Sequence, residues 1–259
     1  MKIAFFDSGI GGLTVLHEAQ KLMPDEDYLF YADTAHVPYG EKSKEQVRAY
    51  VLEAARFIAG QDVKALVVSC NTATSIAIED LRRQYRFPVI GIEPAVKPAV
   101  AVSRRNRKKV LVVATALTLK EVKFHQLVER LDNEDVVDCL PLPGLVRLAE
   151  QFCFDRARVL VYLREATAAL QLSEYGTVVL GCTHFPFFKD SIQLLFPEGT
   201  AIVDGSIGTV RQLQHRLQVL GQLGGGSGII DFYRSSVKVN DPELLQTYQR
   251  LLQKLDNLY

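Results

Sequence analysis

The amino-acid sequence predicts an α/β fold made of two similar halves, each a parallel sheet covered by helices. Three observations carry this. Short runs rich in apolar and β-branched residues alternate with longer segments of helical spacing. The short runs are continuously apolar, as strands buried on both faces must be. The eight strands also fall into two sets of four with recurring landmarks. Cys70 and Cys182 each end a third strand and stand 112 positions apart (70 to 182). The fourth strands begin near Pro88 and Thr200, again 112 positions apart, and their acidic ends, Glu93 and Asp204, are separated by 111. So constant an interval marks an internal repeat, against the competing explanation that any α/β chain spaces its strands evenly.

The elements follow in order. KIAFFD at Lys2–Asp7 is the first strand; the glycine-rich turn DSGIGG leads from it into a helix over Leu13–Leu22. YLFYA at Tyr28–Ala32 is the second strand, and helical spacing then covers Lys44–Ile58. ALVVS at Ala65–Ser69, a helix over Thr72–Tyr85 and PVIGI at Pro88–Ile92 complete the first set. The second set is VLVVA at Val110–Ala114, VVDCL at Val136–Leu140, TVVLG at Thr177–Gly181 and AIV at Ala201–Val203. Its helices are predicted over Leu119–Leu131, Arg156–Leu170 and Phe187–Phe196. Gly224–Gly226 reads as a surface turn before the last elements.

Composition narrows the function. The chain has 259 residues, 48% hydrophobic and 23% charged, and its 30 Lys and Arg cancel 30 Asp and Glu. Neutrality does not favour nucleic acid or an anionic membrane as partner. The basic run at Arg104, Arg105, Arg107, Lys108 and Lys109 reads as a solvated helix end. No apolar run approaches the roughly 20 residues of a membrane span. MKIAFFDSG lacks the pattern of a signal peptide, so a cytoplasmic protein is expected. The four cysteines, Cys70, Cys139, Cys153 and Cys182, form no CxxC pair and have no histidine at zinc-finger spacing, so neither a metal cage nor a disulfide framework is expected. Cys139 and Cys153 read as ordinary buried or half-buried thiols. His17, His125 and His215 lie in helical stretches and read as surface residues.

Cys70 opens SCNTAT and Cys182 opens GCTHFP, each after a strand and before a predicted helix. Sites in open α/β sheets form at the carboxyl ends of strands. A thiol beside a helix N-terminus sits in positive potential, which lowers its pKa from about 8.5 toward neutrality. Two such thiols facing one cleft suit two-base proton transfer at a carbon, one thiolate removing a proton while the opposite thiol supplies one. A redox dithiol is the competing use, without the usual CxxC turn. Hydroxyls, amides and helix-end N–H groups beside the cysteines can hold carboxylates without a metal. DSGIGG lets backbone approach a ligand closely and is not the GxGxxG dinucleotide fingerprint.

DSGIGG at Asp7–Gly12, YADTAHVPYG at Tyr31–Gly40, SCNTAT at Ser69–Thr74, GIEPAVKPA at Gly91–Ala99 and GCTHFP at Gly181–Pro186 together resemble the glutamate racemases of the aspartate/glutamate racemase superfamily. The resemblance implies cofactor-independent interconversion of L- and D-glutamate, supplying D-glutamate to bacterial peptidoglycan. It implies two flavodoxin-like halves in pseudo-twofold arrangement around a central cleft. The domains would then be residues 1–96 plus 206–259, and residues 97–205. Cys70 and Cys182 become the two proton carriers. Asp7, Ser8, Tyr39, Gly40, Asn71, Thr72, Thr183 and His184 become substrate-binding residues, with Asp33 and Glu150 auxiliary. Glutamate is the partner and neither cofactor nor metal is implied; a homodimer is compatible with the resemblance. FYRSS at Phe232–Ser236 lacks the Gly-Asp that often follows a similar late strand in the family. The alternatives are an aspartate racemase, a phosphotransferase with Asp7 as nucleophile, which would need a second aspartate where Gly9 stands, and a flavodoxin-like binding protein.

Overall fold

A computed structural model describes residues 1–132 and 135–258. β1 (Lys2–Asp7) runs into α1 (Leu13–Leu22), and β2 (Tyr28–Ala32) is followed by α2 (Lys44–Ala59), β3 (Val63–Val68), α3 (Asn71–Gln84) and β4 (Val89–Gly91). α4 (Val96–Asn106) leads to β5 (Lys109–Ala114), α5 (Ala116–Lys120), α6 (Val122–Leu131) and β6 (Val137–Pro141). Next come α7 (Pro143–Glu150), α8 (Arg156–Ala166), β7 (Tyr175–Gly181), α9 (Lys189–Gln193) and β8 (Ala201–Asp204). The chain ends with α10 (Ser206–Val219), the hairpin strands β9 (Ile230–Arg234) and β10 (Val237–Lys238), and α11 (Pro242–Asp256).

One sheet has the order β10-β9-β2-β1-β3-β4 and the other β6-β5-β7-β8. The inner order β2-β1-β3-β4 is therefore repeated as β6-β5-β7-β8, all of it parallel. Both sheets even shift register at the start of the equivalent strand, between Lys2 and Ile3 and between Lys109 and Val110. The repeat read from residue spacing is thus a repeat of topology. Burial explains the continuous apolar runs. Ile3, Phe5, Leu111, Val113, Val178 and Leu180 share one core between the sheets. Ala4, Phe6, Leu66 and Val68 face α2 and α3, while Val110, Val112 and Val179 face α4 and α6.

The structure corrects several expectations. The helix predicted over Leu119–Leu131 is two helices, because Glu121 is extended (φ −71°, ψ 136°). That break turns its buried carboxylate onto Lys44 Nζ, 2.7 Å away, tying α2 to the second sheet's helices. The helix predicted over Phe187–Phe196 opens as a 3₁₀ turn at Phe185–Phe188, and only Lys189–Gln193 is α-helical. His17 is buried, not a surface residue: its Nε2 lies 2.8 Å from Asp256 Oδ1, so it docks α11 onto α1. His125 and His215 are exposed. Cys139 is exposed because β6 is an edge strand; Cys153 is half-buried.

Candidate active site

In a sheet of this strand order a ligand site forms where the connections leave in opposite directions, at the carboxyl ends of the two central strands. Those ends are β1 with β3 and β5 with β7. The residues at or just beyond them are Asp7, Ser8 and Cys70 on one side, and Thr115 and Cys182 on the other. All five are buried.

Cys70 caps α3, with its Sγ accepting the Ala73 N–H at 3.5 Å and lying 3.8 Å from Ser8 Oγ. Cys182 does not head an α-helix. Its Sγ lies 3.6 Å from His184 Nδ1, and His184 Nε2 lies 2.6 Å from Glu150 Oε1 at the end of α7. The same Glu150 oxygen accepts the Ile10 N–H at 2.7 Å. Asp7 is held from both sides: Oδ1 accepts the Gly9 N–H at 3.0 Å and Oδ2 accepts the Thr183 hydroxyl at 2.8 Å. These contacts explain the glycines of DSGIGG. A Cβ on Gly9 would sit 1.9 Å from Glu150 Oε1, and one on Gly11 2.5 Å from His184 Nδ1.

The wall opposite is a strap. Tyr39 donates its hydroxyl to Asp33 Oδ2 at 2.6 Å, and Gly40 packs so closely on Thr115 that a Cβ would meet the threonine Cβ at 2.7 Å. Three buried hydroxyls close a ring between the halves. Thr72 Oγ1 is 3.0 Å from Thr115 Oγ1 and 2.9 Å from Thr118 Oγ1, and Thr115 and Thr118 are 2.9 Å apart.

The charges are uneven. Burial pushes the Cys70 thiol up to about 12, reinforced by the nearby Asp7 carboxylate, and the Ala73 N–H only partly opposes this. The helix terminus therefore does not bring Cys70 toward neutrality as expected, since desolvation is the larger effect. Burial also raises Asp7, against His184 and the Gly9 and Thr183 donors. For His184, burial acts against the charge, but the hydrogen bonds and charges of Cys182 and Glu150 more than offset it and hold the imidazole well above its ordinary value. The site thus holds on one side a Cys70 thiol whose ionisation burial opposes, and on the other an imidazole biased toward its charged form beside the Cys182 sulfur.

One small cavity is lined by Ser8, Tyr39, Gly40, Cys70, Asn71, Thr72, Cys182, Thr183 and His184, together with Pro38, Thr115, Val146 and Gly181. Asp7 sits just behind Ser8 and Thr183. Asp33 and Glu150 lie off the wall, holding Tyr39 and His184 respectively. Asn71 is buried, and its Oδ1 has no hydrogen-bond partner among the described residues. Thr115, Thr118 and Val146 were not anticipated. The repeat itself carried the signal for Thr115, which follows β5 as Ser8 follows β1. Among the described residues, no three His, Cys, Asp or Glu side chains come together as a metal-ligand set.

The Asp/Glu/hydantoin racemase family profile matches residues 14–213. Glutamate racemase 2 of Bacillus subtilis (strain 168) is 58% identical over 99% of this chain and 97% of its own. The glutamate racemase of Thermus thermophilus, solved with beta-chloro-D-alanine, superposes with a TM-score of 0.76 at 34% identity, covering 98% of this chain and 92% of that one. The Escherichia coli glutamate racemase, solved with L-glutamate and the activator UDP-MurNAc-ala, superposes with a TM-score of 0.81 at 29% identity over 95% of both chains.

Proposed function

The chain belongs to the Asp/Glu/hydantoin racemase family, and on that footing we propose that it interconverts L- and D-glutamate by two-base proton transfer between Cys70 and Cys182. The observation that supports this most is the pair of thiols lining one cavity from equivalent positions of two repeated sheets. A carbon held between them presents opposite faces to the two sulfurs, which inversion requires. In the L-to-D direction Cys182 acts as thiolate base and takes the α-proton, while the Cys70 thiol delivers its proton to the other face. The reverse reaction exchanges the roles. Each turnover leaves the opposite thiol protonated, so the enzyme returns to its starting state by running backwards or by exchange with solvent.

Removing the α-proton of an ionised amino acid builds a second negative charge beside the α-carboxylate. Positioned donors in a water-poor cavity offset part of this cost. Ser8, Asn71, Thr72, Thr183, His184 and the strap at Tyr39–Gly40 supply such donors at the wall, and Thr115 joins them. A substrate ammonium among Asp7, Cys70 and the Asn71 carbonyl, which has no partner among the described residues, would lower the cost of a Cys70 thiolate, which burial opposes. His184, biased toward its charged form by Cys182 itself and by Glu150, plays the corresponding part for Cys182.

Residues 1–96 with 206–259, and residues 97–205, act as two units that part to admit substrate, because the cavity lining is closed by the threonine ring and the strap. The product supplies D-glutamate for peptidoglycan in the cytoplasm. The assay is incorporation of solvent deuterium. In D₂O, both enantiomers of glutamate should acquire α-deuterium, and aspartate should exchange far more slowly. Exchange into aspartate in preference would favour the related racemase, and no exchange into either would remove the two-base reading.

A further inference from the structure

We propose that Ser235, in the turn of the β9–β10 hairpin, is a positioning residue for the glutamate site, acting through Asp33 on the strap that carries Tyr39 and Gly40. The proposal rests on the racemase reading above. FYRSS at Phe232–Ser236 places two serines in this turn, and the structure shows what they touch. Ser235 Oγ donates to Asp33 Oδ1 at 3.0 Å and accepts the Ala35 N–H at 2.9 Å. Its backbone N–H bonds to the Ala32 carbonyl at 2.9 Å. Among the described residues, buried Asp33 accepts from Ser235 and from Tyr39 at 2.6 Å, and lies 2.9 Å from His36 Nδ1, whose imidazole is stacked on Tyr50 at 3.7 Å. Asp33 also donates its N–H to the Asp7 carbonyl at 3.0 Å. One serine, 200 positions along the chain from Ala35, thus tethers the start of the strap to the rim of the first sheet, and reaches Tyr39 through Asp33.

The backbone supports the reading. Ser235 and Ser236 have φ of 42° and 69°, in the left-handed region that residues with a Cβ adopt at a cost and glycine adopts freely. A turn selected for shape alone would use glycine. Ser236 makes a different contact, with its Oγ 3.1 Å from the Tyr31 hydroxyl, away from Asp33.

Ser235→Gly separates the two roles, because it relieves the backbone and removes the hydroxyl. We expect an unchanged or higher Tm, a KM for glutamate raised about five- to tenfold with a smaller change in kcat, and faster hydrogen exchange at amides 34–40. Ser236→Gly, which relieves the same turn without touching Asp33, should leave KM and exchange unchanged. In an Asp33→Ala background, Ser235→Gly should change KM no further. Unchanged KM and exchange in Ser235→Gly would overturn the proposal, as would equal effects from the two glycine variants or an undiminished effect in the Asp33→Ala background. If the wild-type chain does not racemise glutamate, the racemase reading fails by itself. The exchange comparison still decides whether Ser235 orders the strap.

Discussion

Gly11→Ala tests whether the position of His184 controls the Cys182 half-reaction. Gly11 lies in a 3₁₀ turn with ordinary backbone angles, so alanine brings no conformational penalty. It brings a Cβ 2.5 Å from His184 Nδ1 and 2.6 Å from Thr183 Oγ1. Relaxed contacts begin near about 3.5 Å, so the imidazole must retreat by about 1 Å. That is enough to spoil a 2.6 Å bond to Glu150 and the 3.6 Å approach to Cys182. A misplacement of about 1 Å can cost about 10²-fold in rate, and this is the loss in kcat we expect. Overpacking costs about 1–3 kcal/mol, which lowers Tm by several degrees without unfolding the chain. The control is Gly208→Ala at an exposed position of α10, where a Cβ would meet nothing within 4 Å. It should gain about 0.5–1 kcal/mol and leave racemisation unchanged. Circular dichroism at a fixed wavelength follows racemisation in both directions, and a thermal melt follows stability. A Gly11→Ala enzyme within threefold of wild type would refute the claim that His184 must stay where it is.

Further outcomes follow from the same geometry. Cys70→Ser and Cys182→Ser should each lower racemisation by about 10³-fold or more with the fold intact, since a hydroxyl rarely becomes the required base; near-normal D-glutamate formation by either variant would end the two-thiol assignment. Glu150→Gln removes the charge that helps hold His184 protonated. A raised pKa means the interaction is present below the ordinary histidine value and lost as pH rises through the raised one, so the alkaline loss of activity should move to lower pH. The shift must be equal for kcat/KM in both directions, because free enantiomers have equal energy; an unmoved profile would exclude Glu150 from this role. Asp7→Asn keeps the shape but removes a buried charge whose pKa is raised, a contribution that lowers stability as pH rises above the ordinary carboxylate range. It should raise Tm at neutral pH while reducing activity, and a lower Tm would contradict the burial argument. Far from the site, Lys64 is buried beside Glu26 and donates to the Gln222 carbonyl at 2.7 Å. Lys64→Met should cost about 3–5 kcal/mol in a denaturant titration, and much less when combined with Glu26→Gln.

The succession of the eight repeated strands, the repeat itself and the placing of both cysteines at strand ends were legible in the chain because each is a local pattern, whereas β9 and β10 were not. A buried parallel strand must be apolar along its length, and a residue that ends one is placed by position alone. Motif neighbours such as Thr183 and His184 came with their cysteine. What lay beyond the sequence was every relation set by sheet order and side-chain reach. Glu150 meets Ile10 across 140 positions and His184 across 34. Thr115 and Thr118 enter the site only because β5 and α5 stand opposite α3. Glu121 interrupts a predicted helix at the point where its carboxylate meets Lys44, and His17 is buried because α11 returns to cover it. The thiol at Cys70 shows the limit most clearly. Its place at a helix terminus, readable from sequence, argues for an easy thiolate, whereas burial beside Asp7 pushes it to about 12. Desolvation depends on everything packed around a group, so the chemistry of that sulfur was decided by the tertiary structure, and its location by the sequence.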